Sequence, residues 1–515
     1  MSLTERVIKN TFYHLVSQII GFIFPLIITP YILSKIGETQ FGIYALVLGF
    51  IGTFGLFDLS VSTSFIKFIS EYYNQKKNDE LNKFISTGLG LYISFSLLFT
   101  IIGFVFTDYF VSLINVPPEL TVTAILVLRI GLLVFLIATS FTIFVSVLIS
   151  IQKIYLTSIN GIVMGLLNLI LTILFLKLGW GLTGILYSQL ITVLLSTVIN
   201  VIFVYRSVPE LKIRFKYVNK ISFKNMFSFG AQMQVSRLAA FTSEKYDEFL
   251  LAFFSVLGNV TFFNLAGRIS RLGRFLPFQI FQQIAPVAAE LNAKGEKEKL
   301  AQLFEDATKN LSLITLPVFT FIFIFANVII FAWMGEKYEL TSQILRILVI
   351  GQIVNMIFSA PGNAIIPNIG IPKYSMHEGL INLGLNLVIS FFLIKYYGIL
   401  GAAIGNTTAI VISSIYVFYV SAKFYKLNIY TFLIRDYLKP IVIVLLCGIV
   451  SFFTLLFFEN YYYPYVNRFT AFTALIVSGL VFVSLYVLTI FKSGYLKERD
   501  KVLLGKFLNK IILKT

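Results

Sequence analysis

At 515 residues, with 57% hydrophobic side chains, 54 phenylalanines and only 13% charged residues, the chain has too little polar surface for a water-soluble fold, in which about a quarter of residues are charged. Its mean hydropathy of +0.87 comes from apolar runs of roughly twenty residues, the length that crosses a bilayer. The formal net charge of +17 lies mostly beside those runs, where it orients helices and meets anionic lipid head groups rather than forming a nucleic-acid patch.

The first apolar run starts close to Met1, holds Pro25 and Pro30, and is followed by no small-residue cleavage site, so it reads as a retained helix and not a signal peptide. A window of about nineteen residues then predicts helices at 10–33, 41–66, 84–107, 121–149, 158–176, 182–205, 226–256, 261–287, 310–332, 341–367, 376–394, 400–421, 440–458 and 469–491. The fold class is an all-α polytopic membrane protein with about fourteen transmembrane helices. The seventh and eighth spans stand apart because they carry charges.

Assigning Lys and Arg to alternate sides places 29 on one face and 5 on the other: Lys35, Lys177, Lys337, Lys395 and Arg468. By the positive-inside rule both termini are then cytoplasmic, in the cytoplasmic membrane. Trp180 and Trp333 fall at the opposite interface with Tyr461, Tyr462 and Tyr463, where aromatic anchors belong. The outer loops are short, the longest lying around Pro117 and Pro118, and leave no room for an extramembrane catalytic domain.

Two basic connections divide the chain: an N-terminal six-helix lobe over 1–205, a linker over 206–225, a second six-helix lobe over 226–421, a linker over 422–439, two further helices over 440–491 and a basic tail over 492–515. An offset of 217 to 221 residues aligns the two lobes. Arg129 matches Arg346, Asn168 matches Asn386, Lys177 matches Lys395, and Gly181 and Gly184 match Gly398 and Gly401. Six helices is an even number, so the copies enter the membrane in the same sense and a cavity is expected between them near the midplane.

Ionisable groups at membrane depth are costly and mark function. The spans contain Arg129, Arg237, Lys245, Arg268, Arg271, Arg274 and Arg346 against Asp58, Glu244, Asp247 and Glu248. The positive excess suits an anionic cargo. Arg268, Arg271 and Arg274, spaced by three, would share a wedge of about 120° and span about 9 Å of helix axis. Guanidinium forks bind phosphate bidentately, so these three, with Arg237 and Lys245, are the candidate substrate-binding residues. Asp58, Glu244, Asp247, Glu248, Arg129 and Arg346 are the candidate coupling or gating residues. Glu244 and Glu248 are i,i+4 neighbours that repel, so one of them should seek a base from elsewhere, with Arg268 or Arg271 the candidate. Local charge compensation and snorkelling are the structural alternatives for these groups.

The stretch Asn10-Thr11 before a Pro-broken first helix, Ile36-Gly37-Glu38-Thr39-Gln40-Phe41-Gly42-Ile43-Tyr44, the Ser70-Glu71 and Ala289-Glu290 loops, Tyr246-Asp247-Glu248-Phe249 and Asn264-Leu265-Ala266-Gly267-Arg268-Ile269 together resemble the polysaccharide flippases of the multidrug/oligosaccharidyl-lipid/polysaccharide exporter superfamily. The resemblance implies two six-helix lobes around a cavity, alternating access, and movement of a polyprenyl-diphosphate-linked oligosaccharide to the outer leaflet, with the last two helices forming a groove for the polyprenyl tail. The partners it implies are that lipid-linked oligosaccharide and anionic membrane lipids, with polysaccharide polymerase and glycosyltransferases as candidates and no nucleic acid.

No G-x-x-x-x-G-K-[ST] loop, nucleophile elbow or kinase signature occurs. The expectation is a non-enzyme with no cofactor, a proton or sodium ion serving as candidate coupling ion. Cys447 is the single cysteine, and His14 and His377 are too few and too far apart for a metal site. A multidrug cation antiporter of the same superfamily should have about twelve helices and an acidic cavity. A membrane glycosyltransferase or polymerase should carry catalytic residues on large outer loops. Neither pattern is present.

Overall fold

The computed structural model describes residues 3–55, 61–220, 222–223, 226, 245–427, 437–462 and 467–495. Among these no strand occurs, as apolar segments in lipid require: with no water to satisfy backbone groups, a helix closes every bond within itself. The chain is a multi-pass membrane protein.

The first long helix, α1 (Leu3–Gly55), contains the first predicted span and the second, 41–66, as far as Gly55, joined at Gly37, whose φ of 75° and ψ of 175° break the helix; of the second span, 56–60 lie outside the described residues. After it come α2 (Val61–Asn74), α3 (Asn78–Leu113), α4 (Thr121–Ser140), α5 (Thr142–Ser150), α6 (Ile154–Lys177) and α7 (Gly181–Ser207). A helix α8 covers 245–254, and α9 (Leu257–Gly273), α10 (Phe275–Ala293), α11 (Lys297–Ile324), α12 (Ala326–Met334) and α13 (Glu339–Val354) follow. A π-turn, Asn355–Ser359, leads into α14 (Ala360–Ile365). The second long helix, α15 (Lys373–Phe424), breaks at Gly398, and α16 (Lys439–Tyr462) and α17 (Arg468–Lys492) complete the order.

Ten stretches are long and apolar enough to cross a membrane among the described residues. Two of them, Lys9–Gly52 and Lys373–Phe424, each hold a pair of predicted spans; at 1.5 Å per residue the second would be about 78 Å long if straight, more than twice a hydrocarbon core of about 30 Å. These ten therefore account for twelve of the predicted spans. The seventh, 226–256, lies outside the described residues over 227–244. The eighth is not the continuous helix its sequence suggests, but α9 and α10 with a break at Gly273 and Arg274. The break falls four residues before Pro277, which has no N–H to donate to the Gly273 carbonyl, and buried Gly273 packs closely on α11: a Cβ there would stand 2.5 Å from Phe319 and 2.9 Å from Ile322.

The chain forms two compact units, Met1–Thr261 and Phe262–Thr515. In the first, a core of Phe65, Phe84, Tyr92, Ile143 and Val204 joins α2, α3, α5 and α7. The basic connection after α7 is strapped onto α3, its backbone N–H groups at Lys212, Arg214 and Asn219 donating to Asn82 Oδ1 (2.9 Å), Ser86 Oγ (3.2 Å) and Thr87 Oγ1 (3.1 Å). Residues 245–261 group with the first unit. In the second unit α16 and α17 lie on α11 and α12 through Phe325, Val328, Leu455, Ala471 and Ala474. Their outward faces keep Leu446, Phe453 and Leu480 exposed, as lipid-facing helices do.

The repeat is visible in backbone and side chains. Gly181 (φ 51°) and Gly398 (φ 56°), aligned by sequence, both take the left-handed turn that starts a helix returning against its predecessor. Three residues on, Gly184 and Gly401 both meet that preceding helix: a Cβ would lie 2.8 Å from Phe175 Cβ in one case and 2.0 Å from the Leu393 carbonyl oxygen in the other. Asn168 donates to Ser188 and Thr192 across α6 and α7 (3.4 and 3.3 Å), and Asn386 accepts from Ser390 at 2.5 Å.

Candidate functional site: charged groups at membrane depth

The predicted arginine column divides at the helix break. Arg268 and Arg271 sit on α9 and are half-buried. Arg268 Nε donates to Oδ1 of Asn264, one turn earlier, at 3.0 Å. Asn264 is itself buried, so a fixed amide acceptor orients the guanidinium. Arg274 lies at the junction, its backbone N–H bonded to Arg271 O at 3.1 Å, so it does not continue the same helical wedge.

On α8 the structure joins two residues to which the sequence suggests separate roles. Lys245 Nζ lies 2.9 Å and 3.1 Å from the two carboxylate oxygens of Glu248, with side chains 18% and 3% exposed. A base that Glu248 meets is thus its own i,i+3 neighbour. The pair rests on Gly49 of α1, where a Cβ would stand 3.5 Å from Lys245 Cδ and 3.8 Å from Glu248 Oε2. Such a buried pair is neutral as a unit, and removing either partner strands the other. Asp247 is fully buried beside it. Asp58, Arg237 and Glu244 lie outside the described residues.

Arg129 and Arg346, matched by the repeat, each reach back to the end of an earlier helix. Arg129 bonds Asp108 at the end of α3 (3.1 Å) in a largely exposed ion pair. Arg346 Nε donates to the Phe323 carbonyl at the end of α11 at 3.2 Å. Equivalent residues thus tie equivalent helix ends, which is a positioning task.

Sequence reasoning missed Asn264, Asp108 and a polar cluster around Glu378. Asn264 had a signal, since an asparagine four residues before an arginine on a helix shares its face. Outside the membrane segments, fully exposed Glu290 is held below the usual carboxylate range by its hydrogen bond and charge contact with Lys294, which is raised in turn. Among the described residues no group of three His, Cys, Asp or Glu could hold a metal ion.

Residues 7–292 match the family described as polysaccharide biosynthesis protein, more than half of the chain. The chain belongs to that family. Among its relatives, a putative O-antigen transporter from Shigella flexneri is 23% identical over 418 residues, covering 79% of this chain and 96% of that protein. A probable low-salt glycan biosynthesis flippase, Agl15 of Haloferax volcanii, is 21% identical over 201 residues, 38% of this chain and 42% of that protein. Among solved structures, the lipid II flippase MurJ in an inward closed conformation superposes with a TM-score of 0.71 at 17% identity, over 94% of this chain and 99% of that one. An inward-facing multidrug resistance MATE transporter of the MOP superfamily gives 0.70 at 17% identity over 80% and 94%. At that identity the likeness is one of fold. It gives the family member the all-helical polytopic membrane fold of those two proteins.

Proposed function

We propose that this protein is a flippase that moves a polyprenyl-diphosphate-linked oligosaccharide from the inner to the outer leaflet of the cytoplasmic membrane, with both termini cytoplasmic, by alternating access of two six-helix lobes. The observation that carries the reading is the α9 arginine pair, in a family of polysaccharide biosynthesis proteins. Arg268 is oriented by a buried amide on its own helix, and Arg271 follows it three residues on. A diphosphate would exchange water for guanidinium forks that keep their charge at any physiological pH. The shared fold with a lipid II flippase over nearly the full chain, and with a multidrug transporter over a shorter part, supports the same reading.

Binding tests it. Purified protein in nanodiscs should retain a polyprenyl-diphosphate oligosaccharide, and Arg271→Ala should weaken retention about tenfold or more, the loss of roughly 1.5–3 kcal/mol for hydrogen bonds to a charged group. Equal binding of the lipid by both proteins, or a preference for organic cations, would contradict the proposal.

A further inference from the structure

Glu378 lies in the second turn of α15 and is half-buried. Its Oε2 accepts a hydrogen bond from Asn363 Nδ2 at 2.6 Å, and its Oε1 accepts one from Ser359 Oγ. Ser359 is the last residue of the π-turn and is 1% exposed, and Asn363 is on α14. Asn363 is aimed by its other end: Ser375 Oγ donates to its Oδ1 at 2.5 Å, which turns the amide N–H groups toward Ser359 (2.8 Å) and the carboxyl. At the start of the same π-turn, Asn355 Nδ2 donates to Ser414 Oγ at 3.2 Å. The irregular segment Asn355–Ile365 is thus fastened to α15 through three residues, Ser375, Glu378 and Ser414, one of which is a carboxyl group.

Among the described residues the groups hydrogen-bonded to this carboxyl, Ser359 and Asn363, are neutral. On its own helix Lys373 lies over the Tyr374 ring at 4.9 Å, and His377 Nδ1 is 3.0 Å from Tyr416 Oη. On α10 and α11, which pack against α14, Glu290 is paired with Lys294 and Lys309 lies over the Tyr495 ring at 5.0 Å. Neither these nor Arg274, Glu305 or Asp306 bonds to Glu378, and no ion pair among the described residues includes it. A carboxylate enclosed by one hydroxyl and one amide lacks the countercharge that offsets desolvation, so the ligand this site accepts is a cation small enough to fit on a carboxyl oxygen.

We propose that Glu378 binds a proton, that its occupancy sets the tie between the π-turn segment and α15, and that this proton couples to transport. The proton adds to Oε1, the new O–H donates to Ser359 Oγ, and the Ser359 hydroxyl turns its own hydrogen to a main-chain carbonyl, which a π-turn leaves outside the regular ladder. A charge-assisted bond thereby becomes a neutral one of about half its strength, at a place where the helix is already irregular. The coupling step rests on the flippase reading above; proton binding does not.

The full chain in proteoliposomes tests both parts. Infrared difference spectra recorded across a pH titration, without substrate, should show a carboxyl band that Glu378→Gln abolishes and Glu378→Asp shifts. With a polyprenyl-diphosphate oligosaccharide present, a step of one pH unit, acid outside, should change its outer-to-inner ratio about tenfold in the wild type for one proton per cycle. The ratio in Glu378→Gln should stay near one while the lipid still equilibrates. A band unaltered by Glu378→Gln, a tenfold response retained by it, or a response to a sodium step in place of the pH step overturns the proposal. A titrating band lost in Glu378→Gln, in a wild type that moves no lipid-linked sugar, supports the proton site and overturns the flippase reading instead.

Discussion

At the scale of single residues, Asn264 decides how Arg268 points. Asn264→Ala leaves the charge in place and removes its aim, so it should weaken binding of a diphosphate lipid by about 0.5–1.5 kcal/mol, less than Arg271→Ala, in the same nanodisc measurement. Glu248→Ala strands the Lys245 ammonium and should destabilise by about 3–5 kcal/mol, whereas replacing the pair together by apolar residues of similar volume should recover most of that; thermal unfolding in detergent checks both. Tyr425, just beyond the end of α15, stacks on Phe304 with ring centroids 5.4 Å apart, and its buried hydroxyl has no hydrogen-bond partner among the described residues. Burial pushes its pKa well above the usual 10.0. The folded state therefore favours neutral tyrosine: its stabilising contribution is complete below pH 10 and is lost as pH rises from there through the folded value. Tyr425→Phe should be neutral or stabilising by up to about 1 kcal/mol at pH 7 and should blunt alkaline unfolding.

At the scale of elements, the repeat makes a paired prediction. Gly181→Ala and Gly398→Ala both force a Cβ into left-handed backbone and should each cost about 1–2 kcal/mol. Gly401→Ala should cost more than Gly184→Ala, because its Cβ meets a main-chain carbonyl oxygen that cannot swing away, and Gly184 faces the Phe175 and Trp180 side chains. Midpoints of thermal unfolding rank the four. The positions of these glycines were legible in the sequence, since glycines at a fixed offset at the start of two apolar runs mark a turn. The break between α9 and α10 has a local source in Pro277, which has no N–H for the Gly273 carbonyl four residues back; the close approach of Gly273 to Phe319 and Ile322, more than forty residues away, was not legible. The Glu378 cluster escaped for a similar reason. Ser359, Asn363 and Ser375 are short neutral side chains without periodicity, and only the turn from α14 into α15 brings them to one carboxyl group.

At the scale of the whole molecule, the chain's composition, its apolar runs and its internal repeat were enough to read a multi-pass transporter, because a bilayer admits few architectures and imposes a length on each helix. Its motifs led to the family that residues 7–292 match. Which charges act was less legible, because the sequence lists ions without their partners: Lys245 and Glu248, read as separate actors, are one pair, and Arg129 is half of another. The proposed function turns on what the α9 arginines Arg268 and Arg271 bind. The most direct measurement is leaflet reversal in proteoliposomes of a polyprenyl-diphosphate oligosaccharide, for wild type and Arg271→Ala, with a fluorescent organic cation as parallel substrate. The account predicts movement of the lipid-linked sugar by the wild type, a loss in Arg271→Ala of about tenfold or more, and no movement of the dye. Dye transport with the lipid-linked sugar left in place would contradict it.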